Sequence, residues 1–150
     1  MPQSYTCLHY HLVFSTRHRE PTITPEIRER LWEYLCGAVR GEGGFPLIVG
    51  GTEDHVHLLV TLRQTQALAD FLRQIKCNSS GWMHETFPQV GGFWWQAGYG
   101  TFTVSHSGIG AVRDYIANQE EHHKTRSFQE EYLALLAKHE IEFDEKYLWD

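Results

Sequence analysis

Residues 53–61, Glu-Asp-His-Val-His-Leu-Leu-Val-Thr, constrain the fold most, because β-forming residues fill the stretch and its side chains must alternate sides with a period of two. His55 and His57 then leave one face together while Val56 and Leu58 point the other way. Two imidazoles are thereby aimed at one point. Neutral imidazole is the commonest protein metal ligand, and a third ligand from another element would leave coordination positions open for a substrate oxygen.

The elements around that strand follow from punctuation and period. Thr6 to Thr16 reads as a first strand, with His9, His11 and Val13 on one face. Thr24-Pro25-Glu26 opens a helix with Thr as cap and Pro in the first turn; Ile27, Leu31, Leu35 and Ala38 form its buried stripe, and Gly41 to Gly44 stops it. Phe45 to Val49 is a second strand, turned by Gly50-Gly51 into the histidine strand as an antiparallel hairpin. Gln66 to about His84 is a second amphipathic helix, with Leu68, Phe71, Leu72, Ile75 and Trp82 inward and Arg73, Lys76 and Asn78 on a more polar face. The aromatic, glycine-punctuated run Gly91 to Val104 is a fourth strand, or a strand with an irregular entry.

This order, β-α-β-β-α-β, predicts an α+β chain of ferredoxin-like arrangement, a four-stranded antiparallel sheet under two helices, with the histidines on its open face. A third helix runs from about Ile109 past Gln119 with Ile109, Val112 and Ile116 inward, and it sets Tyr115 and Gln119 one turn apart on one flank. Ser127-Phe128-Gln129-Glu130 has the form of a capping box opening a C-terminal helix, and the aromatics of Ile141 to Asp150 predict a packed strap. One domain over residues 1–150 is expected: a core over 1–107, the tyrosine helix over about 108–122, and a C-terminal helix and tail over 123–150. Strand alternation turns Asp54 away from His55, and His123 with Lys124 reads as a solvated helix end.

At 41% hydrophobic and 13% aromatic, 150 residues can bury a core. No apolar run approaches the roughly 20 residues of a membrane span, and Met1-Pro2-Gln3-Ser4 lacks a basic stretch followed by an apolar one, so a soluble, unexported protein is expected, with no membrane partner. Cys7, Cys36 and Cys77 are odd in number and widely spaced, which speaks against a disulfide framework and fits the cytoplasm. The net charge of −6 is concentrated from Glu120 onward, where nine acidic residues meet four basic ones, so residues 1–119 carry only −1. A near-neutral body permits a nucleic-acid partner without demanding one. Arg17, Arg19, Arg73 and Lys76 are the candidate contacts to a sugar-phosphate backbone.

Four stretches together resemble the HUH single-tyrosine transposases, which move bacterial insertion sequences as single-stranded DNA: Tyr10-His11-Leu12-Val13-Phe14-Ser15-Thr16, Asp54-His55-Val56-His57-Leu58-Leu59, Trp95-Gln96-Ala97-Gly98-Tyr99 and Val112-Arg113-Asp114-Tyr115-Ile116-Ala117-Asn118-Gln119. The resemblance covers nearly the whole chain. It implies that His55 and His57 are the histidines of the HUH motif, Tyr115 the nucleophile and Gln119 the third metal ligand, with Mg²⁺ or Mn²⁺ as the ion. It implies a 5′-phosphotyrosine intermediate, recognition of DNA hairpins at element ends, and a homodimer in which the tyrosine helix can act in trans. His122, on the flank of Tyr115 and Gln119, is a further candidate ligand or DNA contact.

Two other readings stand beside this one. A non-catalytic ferredoxin-like nucleic-acid-binding regulator would use the same sheet with histidines that merely line it. A small-molecule metalloenzyme would combine His9, His11, His55 and His57 in one site.

Overall fold

In the computed structural model, which describes residues 3–150 and leaves Met1 and Pro2 of the N-terminal reading outside, four strands form one antiparallel sheet: β1 (His9–Ser15), β2 (Phe45–Gly51), β3 (His55–Thr61) and β4 (Gly100–Val104), in the order β2-β3-β1-β4. Leu12 and Phe14 of β1 and Val56, Leu58 and Val60 of β3 enter one core with Ile27, Leu31 and Leu35 of α1 (Pro25–Gly41) and Phe71, Leu72 and Ile75 of α2 (Leu68–Thr86). That is the ferredoxin-like arrangement the alternation predicts, with both helices on one face.

The opposite face is not open. α3 (Ile109–Ala117), α4 (Gln119–His122) and α5 (Phe128–Lys138) follow β4, and Phe128, Tyr132 and Leu136 of α5 pack on Val13 and Phe102 in a second core. Six of the seven β3 residues, both histidines included, are therefore buried. α5 starts where expected, since Ser127 and Glu130 make a reciprocal capping box that satisfies two helix-end donors.

Several boundaries differ from the sequence expectation. β1 is shorter than Thr6–Thr16, and Gly50 and Gly51 belong to β2, so residues 52–54 make the hairpin turn. These glycines serve close approach instead. A Cβ on Gly50 would lie 2.6 Å from the Ile116 carbonyl oxygen, so only glycine lets α3 lie against β2. Gly50→Ala should push α3 off the sheet and cost about 1–3 kcal/mol in urea unfolding; wild-type stability would show that the helix has room to move. The third helix is also not continuous. Asn118 leaves helical geometry (φ −102, ψ 23) and its side-chain amide donates to the Asp114 carbonyl at 2.8 Å, which divides the predicted helix into α3 and α4.

Residues 87–99 form the irregular entry to β4: Phe93 and Trp95 are in the core, Trp95 bridges to Thr16, and Trp94 stays half exposed. The strap holds only at its end. Ile141, Phe143 and Tyr147 are exposed, whereas Leu148 and Trp149 pack on the second core, and the Asp150 carbonyl accepts from Gly98 N at 2.8 Å and Gln96 Nε2 at 3.1 Å. Among the described residues no helix is long and apolar enough to cross a membrane.

Candidate metal and tyrosine site

Strand alternation places His55 and His57 side by side on the face roofed by α3 to α5, with ring centroids 5.1 Å apart. Register puts Val13 opposite His57 on β1, and His11, two residues earlier on the same face, reaches His57 through a 2.7 Å contact between His11 Nε2 and His57 Nδ1. The Nε2 atoms face the helices. His55 Nε2 lies 2.8 Å from Gln119 Oε1, and His57 Nε2 lies 2.8 Å from Glu131 Oε1. Glu131 also stands 3.5 Å from His55 Nε2, and its Oε2 accepts from Gln119 Nε2 at 2.9 Å and from the Tyr115 hydroxyl. Tyr115 and Gln119 thus meet on one carboxylate despite the break between their helices. The Tyr115 ring centroid is 5.9 Å from that of His57.

The donor set fits a divalent ion. Adjacent ligands at about 2.0–2.1 Å in octahedral geometry stand roughly 2.9 Å apart, close to the 2.8 Å separations from His55 to Gln119 and from His57 to Glu131. Proton accounting points the same way. In a neutral ring whose Nδ1–H donates to the Asp54 carboxylate at 2.8 Å, His55 Nε2 presents only a lone pair to the Gln119 carbonyl oxygen, also at 2.8 Å. Two acceptors facing each other are relieved by a cation between them. A carboxylate behind the distal nitrogen is also how ligating histidines are commonly oriented. His55, His57 and Glu131 form a buried triad able to hold a metal ion.

Three of these residues correct the sequence expectation. Asp54 does not point away from His55, because it lies in the turn before β3, where alternation does not apply. Glu131 carries no signal of its own in a helix rich in glutamates and was not foreseen. His123, expected to be solvated, stands with Nε2 3.2 Å from Glu131 Oε1, a charge contact without hydrogen-bond alignment. His122 is exposed and lies against Tyr115 in a tilted contact with centroids 4.8 Å apart. His9 leaves the cluster for other partners, so the four histidines of β1 and β3 do not share one site.

Burial and charge set the protonation states. Burial pulls His57 down to about 4 against the opposing pull of Glu131, and burial, aided by nearby His57, holds His11 well below the usual imidazole range. Burial would raise Glu131, but the His123 and His57 rings win and hold its carboxyl well below the usual range. His123 is raised, because Glu131 outweighs its desolvation. Burial and then the Glu131 carboxylate push Tyr115 well above an ordinary phenol. Since the unfolded chain holds more protons at His57 than the folded one between pH 6.5 and about 4, the stability from a neutral His57 is complete above 6.5 and drains away as pH falls toward 4. The loss should be on the order of 3 kcal/mol. Urea unfolding across that window should show it for the wild type and a flatter profile for His57→Asn; equal slopes would refute it.

The predicted backbone contacts sit elsewhere. Arg73 is exposed and paired with Asp70 at 3.1 Å. Lys76 donates to the Ala97 and Gly98 carbonyls at 3.1 and 2.7 Å, and burial lowers it to about 8. Both line a cleft of about 550 Å³ with Trp94, Trp95 and Tyr99. Arg17 and Arg19 line a neighbouring cleft of about 680 Å³ that shares Trp94, and Arg19 Nη1 donates to the Trp149 carbonyl at 3.1 Å. A third cleft, of about 540 Å³, opens on His11, Tyr115 and Glu131 and carries Arg126, Lys138 and His139.

This geometry has relatives. ISDra2 transposase TnpA of Deinococcus radiodurans is 29% identical over 119 residues, covering 76% of this chain and 85% of that protein. A crystal structure assigned as a transposase from Deinococcus radiodurans R1 superposes with a TM-score of 0.64 at 27% identity, covering 79% of this chain and 96% of the other. The fold is also shared with a REP-associated tyrosine transposase bound to a REP hairpin, at a TM-score of 0.60 and 15% identity, covering 82% of this chain and 73% of that one. The family described as "Transposase IS200 like" matches residues 4–119, from the start of the first strand segment through Tyr115 and Gln119. The chain belongs to the IS200-like transposase family.

Proposed function

We propose that this transposase cleaves and rejoins single-stranded DNA through a 5′-phosphotyrosine link formed by Tyr115. The observation that carries the reading is the convergence of the Tyr115 hydroxyl and Gln119 on Glu131, the carboxylate that His57 also contacts. His55, His57, Gln119 and Glu131 would hold Mg²⁺ or Mn²⁺, an ion that supplies positive charge to a nonbridging oxygen of the scissile phosphate. The mixed nitrogen and oxygen donors suit Mn²⁺ and are tolerable for Mg²⁺.

The chain's own groups do the rest. Glu131 orients the phenol, and its Oε2 is the nearest acceptor for the proton that the oxygen sheds on attack. The Tyr115 Oη–phosphorus bond forms, the phosphorus–O3′ bond breaks, and the departing 3′ oxygen takes up a proton. One phosphodiester replaces another, so a second 3′-hydroxyl can reverse the step without ATP. His11 holds the second nitrogen of His57 in either tautomer, accepting or donating as His57 Nε2 loses or keeps its proton. His122, tilted against Tyr115, is a contact for the strand beside the nucleophile.

Arg126 and Lys138 give the cleft beside Tyr115 a cationic edge suited to the scissile strand. Arg17 and Arg19 on one side of half-exposed Trp94, and Arg73 and Lys76 on the other, make a basic and aromatic strip for a DNA hairpin and its unpaired bases. In this geometry Tyr115 serves its own chain's histidines; in a homodimer the same helix would reach the partner's pair only by swinging away from Gly50. A cytoplasmic protein acting on DNA is the corresponding setting.

The test mixes the protein with Mn²⁺ and single-stranded DNA from the regions flanking its own gene, then looks for an adduct that survives denaturant. An adduct lost with chelator or with His57→Ala supports the reading. DNA binding with no adduct, indifferent to metal and to His57→Ala, would instead identify the regulator.

A further inference from the structure

We propose that Cys7 Sγ, His9 Nε2 and His106 Nδ1 form a second metal site, for a thiophilic divalent cation of the zinc class, which fastens the N-terminal segment to the root of the tyrosine helix. The three ligand atoms already converge: Cys7 to His9 at 3.2 Å, His9 to His106 at 3.2 Å, and Cys7 to His106 at 3.9 Å. Tetrahedral zinc with bonds of about 2.0–2.1 Å to nitrogen and 2.3 Å to sulfur requires separations of about 3.3 Å between nitrogens and about 3.6 Å from sulfur to nitrogen. The observed triangle matches within a few tenths of an ångström.

The site is also oriented from behind. His9 Nδ1 lies 2.8 Å from Thr61 Oγ1, so a ring that donates there turns the Nε2 lone pair toward Cys7 and His106. Thiolate with two imidazoles selects zinc-like ions over Mg²⁺, so this set and the His55–His57 cluster, which has no sulfur, prefer different metals. They share no residue. Cys7 and His106 are exposed, which leaves a path for the ion and a fourth position for water. Binding releases the Cys7 proton to solvent, so affinity should fall as pH falls.

Position gives the site its consequence. His106 opens the 3-10 turn (His106–Gly108) that leads directly into α3, and His9 begins β1, so an ion bridging them ties the start of α3 to the first residue of an inner strand of the sheet. Such a tie would restrain any swing of the segment carrying Tyr115.

Cobalt(II) titration of the reduced protein tests the site, because only a thiolate ligand produces a sulfur-to-cobalt charge-transfer absorption. The expected result is an absorption that saturates at one ion per chain, persists in His57→Ala and Cys77→Ser, and disappears in Cys7→Ser. Thr61→Val should weaken cobalt binding about ten- to a hundredfold. No absorption in the wild type, or its survival in Cys7→Ser, would overturn the site. Hydrogen exchange tests the fastening: Zn²⁺ should slow exchange over residues 109–117 in the wild type and not in Cys7→Ser, and unchanged rates would overturn that half. Neither readout depends on DNA cleavage, so failure here is separable from failure of the histidine-pair reading.

Discussion

Tyr115→Phe should abolish formation of the denaturant-resistant DNA adduct and lower strand cleavage by on the order of a thousandfold or more, while single-stranded DNA binding should stay within a fewfold of wild type. The substitution removes one oxygen. Phe keeps the ring and its contact with His122, and only the hydrogen bond to Glu131 is lost, so stability should fall by about 1–2 kcal/mol at most. The fold should survive the loss of the proposed nucleophile. The burial and carboxylate contact that raise Tyr115 make the contrast sharper, because the resting phenol is neutral and would need neighbouring positive charge to react. His57→Ala should lose the adduct by a different route, keeping the phenol oxygen and weakening metal binding. An adduct that forms undiminished in Tyr115→Phe removes the proposed nucleophile.

Glu131→Ala should be the most destabilising single change in the site. Glu131 is 1% exposed, and it accepts from Gln119 and Tyr115 through Oε2 while Oε1 meets His57 at 2.8 Å and His123 at 3.2 Å. Truncation leaves several buried polar groups with no acceptor and the raised imidazole of His123 with no counter-charge. Breaking a buried charged cluster from one side costs about 3–5 kcal/mol, a drop in melting temperature of roughly 10 °C for a chain of this length. Glu131→Gln retains one acceptor oxygen and should cost about half as much. Calorimetry with and without Mn²⁺ separates the two roles of the carboxylate: the ion should raise the melting temperature of the wild type more than that of either variant. Wild-type melting in Glu131→Ala would mean that the cluster carries no net stability.

The two outcomes divide the site along the same line that divides what local sequence could and could not reveal. Tyr115 and Gln119, one helical turn apart, were singled out only by the resemblance of residues 112–119 to the transposases, whereas His55 and His57 were legible as a pair because strand alternation puts residues two apart on one side. The ferredoxin-like order was legible for the same reason, each element announcing itself through its period and its caps. Where period failed, so did the expectation: Asp54 lies in a turn, and Asn118 breaks the helix by bonding its own backbone. Glu131 was invisible because the capping box accounts for Glu130 and leaves its neighbour with no mark of its own to say that it faces the histidines.

Local sequence alone therefore determined the four strands, the two core helices and the paired imidazoles. It did so because each of those relations spans only two to four residues, within reach of a backbone period; the phenol with its amide needed the family resemblance. The meeting of Glu131 with His57 across 74 positions, and of Cys7 with His106 across 99, was settled only when α5 closed over the sheet and the turn before α3 folded back on the start of β1. Contacts at that separation follow from how apolar faces pack, and packing leaves no repeating mark on the chain it brings together.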